Sequence, residues 1–181
     1  MEILVVGLSH KTAPIELRER LHIPERDLAG PLQILGQEPP ILERVILSTC
    51  NRVEVYAVAE EVEPARQAIE ALLGSRAHLP AAAIADHLYR HRAGDAVRHA
   101  FRVAASLDSL VVGEPQILGQ VKEAYQAAVA AGAVGPVLAA LMERALRVGK
   151  RIRTETALGA SPVSVASVAI ELARQIFGTL A

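Results

Sequence analysis

Val45-Ile46-Leu47-Ser48-Thr49-Cys50-Asn51-Arg52-Val53-Glu54-Val55-Tyr56-Ala57 holds the lone cysteine of a 181-residue chain. The apolar run Val45 to Leu47 leads into it. On the way out Val53, Val55 and Ala57 alternate with Glu54, Tyr56 and Val58. Both flanks read as strands, the second half-buried with a period of two. Ser48 to Arg52 is then the turn of an antiparallel hairpin, with a thiol at the lip of a sheet beside turn N–H groups and a guanidinium. That microenvironment lowers a thiol pKa and favours the thiolate, the form that attacks carbonyls. A free cysteine at a strand end also serves as a small buried hydrophobe, and the motif alone leaves both roles open.

Upstream, Ile3 to Leu8 reads as a buried first strand. It is followed by the polar loop Ser9-His10-Lys11-Thr12-Ala13-Pro14, and Pro14 opens a short helix over Ile15 to Leu21. Pro24 starts another helix, with Leu28, Leu32 and Leu35 on one face and Gly36 as its stop. Downstream, Pro64 begins a helix ending at Gly74, Pro80 to Ile84 a short one, and His87 to His91 reads as a last strand. The order is βαββαβ: an α+β fold with a small antiparallel sheet in a ferredoxin-like arrangement and helices on one face.

The second half reads as a helical subdomain. Helices are expected over Ala96 to Ser106, from Pro115 to about Ala131, and from Val137 to about Thr154. A last one begins at Pro162, with Val165, Val168, Leu172 and Ile176 on an apolar stripe. Asp95 and His99 lie four apart, so the carboxylate is placed to orient the imidazole from one turn away. Gln116 and Gln120 share a helix face in the same way. Solvated helix pairs show the same spacings, and no spacing distinguishes His10, His22, His78, His87 or His91.

Composition narrows the class. The chain is 51% hydrophobic and 22% charged, with a net charge of −1, which is globular and gives no global attraction to nucleic acid. Arg144, Arg147, Lys150, Arg151 and Arg153 form a local basic side on one helix, suited to phosphates. One cysteine excludes an internal disulfide and suits a reducing cytosol. Zinc-finger spacing is absent, so no metal is expected. Met1 to Leu8 lack a basic n-region and a small-residue cleavage site, so a signal peptide is not expected there, and no apolar run reaches about 20 residues; the expectation is a cytoplasmic protein without membrane contact.

Three stretches together resemble glutamyl-tRNA reductase. They are Gly7-Leu8-Ser9-His10-Lys11-Thr12-Ala13-Pro14, then Leu47 to Tyr56, then Ser106-Leu107-Asp108-Ser109-Leu110-Val111-Val112-Gly113-Glu114-Pro115-Gln116-Ile117-Leu118-Gly119-Gln120-Val121-Lys122. Arg151-Ile152-Arg153-Thr154-Glu155-Thr156 adds a fourth. The resemblance implies reduction of glutamyl-tRNA to glutamate-1-semialdehyde with NADPH, the committed step of five-carbon tetrapyrrole synthesis. It implies that Cys50 is the nucleophile forming a glutamyl thioester, with Thr49, Asn51 and Arg52 lining the pocket and the Arg52 fork meeting a glutamate carboxylate. It implies a catalytic role for His99 and substrate contacts for Ser109, Glu114, Pro115, Gln116 and Gln120. It also implies a homodimer, and the aminomutase that takes the semialdehyde next is a possible partner.

Family members continue into a dinucleotide-binding domain and a dimerisation domain. No Gly-x-Gly-x-x-Gly follows a strand in this sequence, so no NADPH-binding residue is expected here. The expected organisation is a catalytic glutamyl-tRNA-binding domain over 1–158 and the start of a connecting helix over 159–181. Two other readings stay open: a non-catalytic tRNA-binding or regulatory module, and a cysteine acyltransferase or hydrolase using Cys50 with His99.

Overall fold

The computed structural model describes residues 1–156 and 158. Four strands, β1 (Glu2–Ser9), β2 (Ile41–Ser48), β3 (Arg52–Ala59) and β4 (Tyr89–Arg92), form one antiparallel sheet in the order β2-β3-β1-β4. This is the ferredoxin-like order expected from the βαββαβ reading. The helices are α1 (Ile15–Leu21), α2 (Ala29–Gly36), α3 (Val62–Ala77), α4 (Ala81–Ile84), α5 (Ala93–Ala104), α6 (Gln116–Ala130) and α7 (Pro136–Glu155). The helix expected from Pro162, with its apolar stripe, lies outside the described residues.

Every residue of β3 is buried, so the sheet is covered on both faces. The βαββαβ unit keeps α3 on one face, as expected of it, and the helical half covers the other. Leu4, Val6, Leu8, Val53 and Val55 share one face by register, the side on which Arg90 of β4 meets Glu70 of α3. On the opposite face Val45, Leu47 and Tyr56 pack with Ala100 of α5, Val121 and Ala124 of α6 and Met142 of α7. The helical half of the sequence is thus the second outer layer of a three-layer fold. The alternation in β3 misled because its polar members, Glu54 and Tyr56, face these helices and not water.

Local chemistry explains the junctions. Thr49 N donates to the Arg52 carbonyl at 2.8 Å, closing the β2–β3 hairpin. The Thr49 hydroxyl accepts from Asn51 N at 3.2 Å and Arg52 N at 3.1 Å, so these two turn donors are satisfied internally. Gly7 lies opposite Glu54 in the ladder. A Cβ there would sit 2.5 Å from the Val53 carbonyl oxygen and 2.8 Å from Glu54 Cα, so only glycine leaves room for Glu54 beneath it. Ser106 adopts φ 60°, an uncommon conformation for a residue with a side chain. It is held there by Oγ donating to the Glu114 carbonyl at 2.8 Å and by Gly113 N donating to its own carbonyl at 3.1 Å. The segment 106–114 is thereby pinched at its base into a closed loop that carries Asp108 and Ser109.

Candidate active site

The 9–12 loop, the hairpin turn and the 106–114 loop converge at one end of the sheet. His10 N donates to the Asn51 carbonyl at 2.8 Å. Lys11 Nζ meets Asp108 Oδ1 at 2.5 Å. Arg52 Nη2 donates to the Asp108 carbonyl at 2.5 Å. Each loop is thus tied to one of the others through a residue whose sequence position gave no hint of the contact.

Cys50 is exposed at the tip. It lines a cleft of about 230 Å³ with Ile15, Arg18, Glu19 and His22. Arg18 Nη1 donates to the Cys50 carbonyl at 2.6 Å and to Asn51 Oδ1 at 3.3 Å, which fixes the turn against α1. His22 Nδ1 lies 3.2 Å from Ser48 Oγ, and that hydroxyl also accepts from Ile23 N at 2.8 Å. Arg18 and His22 were not singled out by sequence reasoning. No hydrogen bond joins Cys50 to His99 among the described residues.

Behind the turn, on the face covered by the helical half, lies a buried polar cluster centred on Glu54, which is 0% exposed. Its Oε1 accepts from Arg52 Nη1 at 2.6 Å, from His99 Nε2 at 2.8 Å and from Tyr89 OH, and its Oε2 accepts from Tyr56 OH at 2.5 Å. Burial alone would push this carboxyl up. The Arg52 charge and the His99 and Tyr56 hydrogen bonds outweigh it and hold Glu54 well below the usual carboxylate range. Burial and the adjacent Glu54 charge push both tyrosines well above their ordinary value. His91 packs on His99 with ring centroids 4.6 Å apart, and burial, then the His99 ring, keeps His91 below its ordinary value.

His99 is therefore oriented by Glu54 and not by Asp95, which instead pairs with Arg98 at 2.6 Å on the exposed side of α5. Because a carboxylate only accepts, the proton sits on Nε2 and Nδ1 is the imidazole's remaining nitrogen. Arg52 is 1% exposed, and its contacts are with Glu54 and Asp108. The expected fork onto a ligand carboxylate is thus not the geometry it adopts here. Burial would lower this guanidinium's affinity for its proton, but the Glu54 charge prevails and keeps it firmly protonated.

Ser109 is buried, and its Oγ has no partner among the described residues; the same holds for His10 Nδ1 and Arg18 Nε. Orphaned buried polar atoms are rare, and these three belong to elements that surround the Cys50 turn. The side chain of Glu114 is buried while its carbonyl anchors Ser106. Pro115 and Gln116 are exposed and Gln120 half-buried at the start of α6, and among the described residues no hydrogen bond ties them to the Cys50 turn. Among the described residues no group of three or more His, Cys, Asp or Glu is placed to hold a metal ion. No described helix is long and apolar enough to cross a membrane.

A hairpin thiol over a buried Arg–Glu–His cluster, on a ferredoxin-like sheet sandwiched by helices, defines a class of α+β domain that comparison resolves. The family described as "Glutamyl-tRNAGlu reductase, N-terminal domain" matches residues 6–156, and the chain belongs to it. Glutamyl-tRNA reductase of Syntrophotalea carbinolica is 50% identical over 181 residues, covering 100% of this chain and 41% of that protein. Glutamyl-tRNA reductase 2 of Koribacter versatilis is 52% identical over 180 residues, covering 99% of this chain and again 41% of that protein. The solved structure of glutamyl-tRNA reductase from Methanopyrus kandleri superposes with a TM-score of 0.71 at 35% identity, over 98% of this chain and 41% of that one. The chain thus spans about two fifths of the length of the relatives it matches.

Proposed function

We propose that this chain carries the acylation half of a glutamyl-tRNA reductase. The Cys50 thiolate attacks the ester carbonyl of glutamyl-tRNA. The bond to the terminal ribose oxygen breaks, that oxygen takes a proton, and a glutamyl thioester forms on Sγ. The observation that carries this reading is an exposed thiol at the tip of a turn braced by Arg18, opening on a cleft lined by Arg18, Glu19 and His22. Charged side chains of both signs beside the thiol suit the carboxyl and amino groups of an amino-acid ester. Thr49 and Asn51 shape the turn, and Arg52 acts from beneath by holding Asp108 and its loop against it.

His99 stands as the residue that assists departure of the ribose oxygen or polarises the carbonyl, through the Nδ1 that Glu54 leaves free. Ser109, Glu114, Pro115, Gln116 and Gln120 stand as the further substrate contacts.

The resemblance implies that NADPH then reduces the thioester to glutamate-1-semialdehyde for tetrapyrrole synthesis. Among the described residues the first strand-to-helix link, 10–14, contains no glycine, and the second opens α3 with Glu60 and Glu61. Neither suits a dinucleotide pyrophosphate, which binds at a glycine-rich turn ahead of a helix, so no hydride step is derived from these residues. The homodimer, the aminomutase contact and a cytoplasmic location stand as proposals of the same resemblance.

Mass spectrometry of the intact chain after mixing with glutamyl-tRNA and quenching in acid tests the reading. A glutamyl adduct is expected on the wild type and not on Cys50→Ser. An unmodified wild type with tRNA still bound would refute it in favour of a binding module.

A further inference from the structure

A large concave feature lies away from the thiol. Between α6 and α7 runs a groove of about 510 Å³. Leu118, Tyr125 and Leu146 line it, with Lys122 rising from α6 and Arg147 and Lys150 from α7. No acid is among its lining residues. None of those three cations is in an ion pair among the described residues, whereas the neighbouring Arg151 is taken by Glu155 at 3.0 Å. Arg147 and Lys150 are one turn apart, which puts their Cβ atoms about 5–6 Å from each other on one helix face. In a chain of net charge −1, this is a local concentration of positive charge on opposing walls.

The groove also has a direction. At one end Arg153 donates to the Pro115 carbonyl at 2.9 Å. Pro115 is joined to Glu114, whose carbonyl closes the 106–114 loop on Ser106. That loop carries Asp108 onto Arg52, at the base of the Cys50 turn. Toward the other end Tyr125 OH donates to Glu143 at 3.3 Å, and the acid bounds the positive track.

We propose that the α6–α7 groove is the seat of the ribose-phosphate backbone of the tRNA, leading its aminoacylated end toward the Cys50 turn. This rests on the acylation reading above and adds the surface that the RNA uses. Walls of opposite helices with unpaired cations fit a polyanion. The apolar floor accommodates sugar edges and the stems of the cationic side chains, and Tyr125 offers a face for stacking. A protein partner or an anionic membrane would meet the same charge, but neither requires a track that ends at the loop tied to the Cys50 hairpin.

The test uses this chain with a fluorescent, unacylated glutamate-accepting tRNA, titrated at several salt concentrations. Lys122→Ala/Arg147→Ala/Lys150→Ala is expected to bind at least tenfold more weakly at low salt, with the log–log salt slope shallower by about two to three. At limiting glutamyl-tRNA its Cys50 adduct should accumulate proportionately more slowly, while a small glutamyl thioester without RNA acylates it at the wild-type rate. Unchanged affinity and slope would overturn the proposal. So would an equal loss in Arg20→Ala/Arg26→Ala/Arg98→Ala, which removes as much charge elsewhere. Groove-dependent tRNA binding with no adduct on the wild type would support the groove and refute the acylation reading, so the two fail separately.

Discussion

His99 Nε2 donates to Glu54 Oε1 at 2.8 Å, joining α5 to the middle strand pair across 45 positions of sequence. The contact fixes the tautomer of one residue and the charge of the other. Removing Glu54 leaves the Arg52 guanidinium buried without its counter-charge. Glu54→Gln should cost about 3–5 kcal/mol of unfolding free energy, as expected for breaking a buried pair from one side. Urea denaturation at neutral pH checks this, and a loss below about 1 kcal/mol would show that the cluster does not hold the fold.

The same residue sets an acid limit. A carboxyl held below its ordinary 4.5 in the folded state stabilises fully above that value and loses its contribution as pH falls beneath it. Stability should therefore decline on the acid side of about pH 4.5. Wild type should fall more steeply than Glu54→Gln, by up to about 1.4 kcal/mol per pH unit. Parallel pH profiles for the two proteins would contradict this.

Asp95→Asn should change stability by less than about 0.5 kcal/mol, because Asp95 is exposed and its partner Arg98 is exposed as well. It should leave Cys50 acylation unaltered. His99→Ala should slow acylation, and comparing the two rates with glutamyl-tRNA separates a histidine oriented from β3 from one oriented along its own helix.

Gly7→Ala is the smallest change directed at the cluster. The added methyl meets backbone at 2.5 Å, and central strands cannot move aside without disturbing both neighbours. Destabilisation of about 1–3 kcal/mol is expected, together with slower acylation, since Glu54 is the side chain displaced. Thermal unfolding alongside the mass assay measures both effects.

Cys50→Ser, by contrast, should leave the unfolding midpoint within experimental error, since the side chain is exposed and fills no core. Its adduct should vanish completely.

Much of this was legible in the sequence, and the failures have physical causes. Proline and glycine punctuation placed the strands and helices to within a few residues, and the hairpin around Cys50 followed from alternation. The same alternation read Glu54 and Tyr56 as facing outward, because polar residues at period two ordinarily face water. Only the docking of the helical half onto that face buries them, a tertiary event with no local signature. Asp95 was preferred as the partner of His99 because neighbours on one helix are visible in sequence and neighbours from a strand 45 residues away are not. Arg18 and His22 carried no motif, and proximity of α1 to the turn is what brings them to the thiol. A usable clue existed in Gly7, since a glycine in the middle of a buried strand marks a place where something comes close.

The hairpin turn between Thr49 and Arg52 also acts as a phase lock. Residues along β3 alternate between an oily layer and a polar one, so the number of residues in the turn determines which layer each side chain enters. Inserting a single residue after Cys50 would leave the thiol at the tip but could rotate the strand by one step, sending Arg52, Glu54 and Tyr56 into the layer built by Leu4, Val6 and Leu8. The length of this turn is therefore as much a part of the site as the chemistry of its residues.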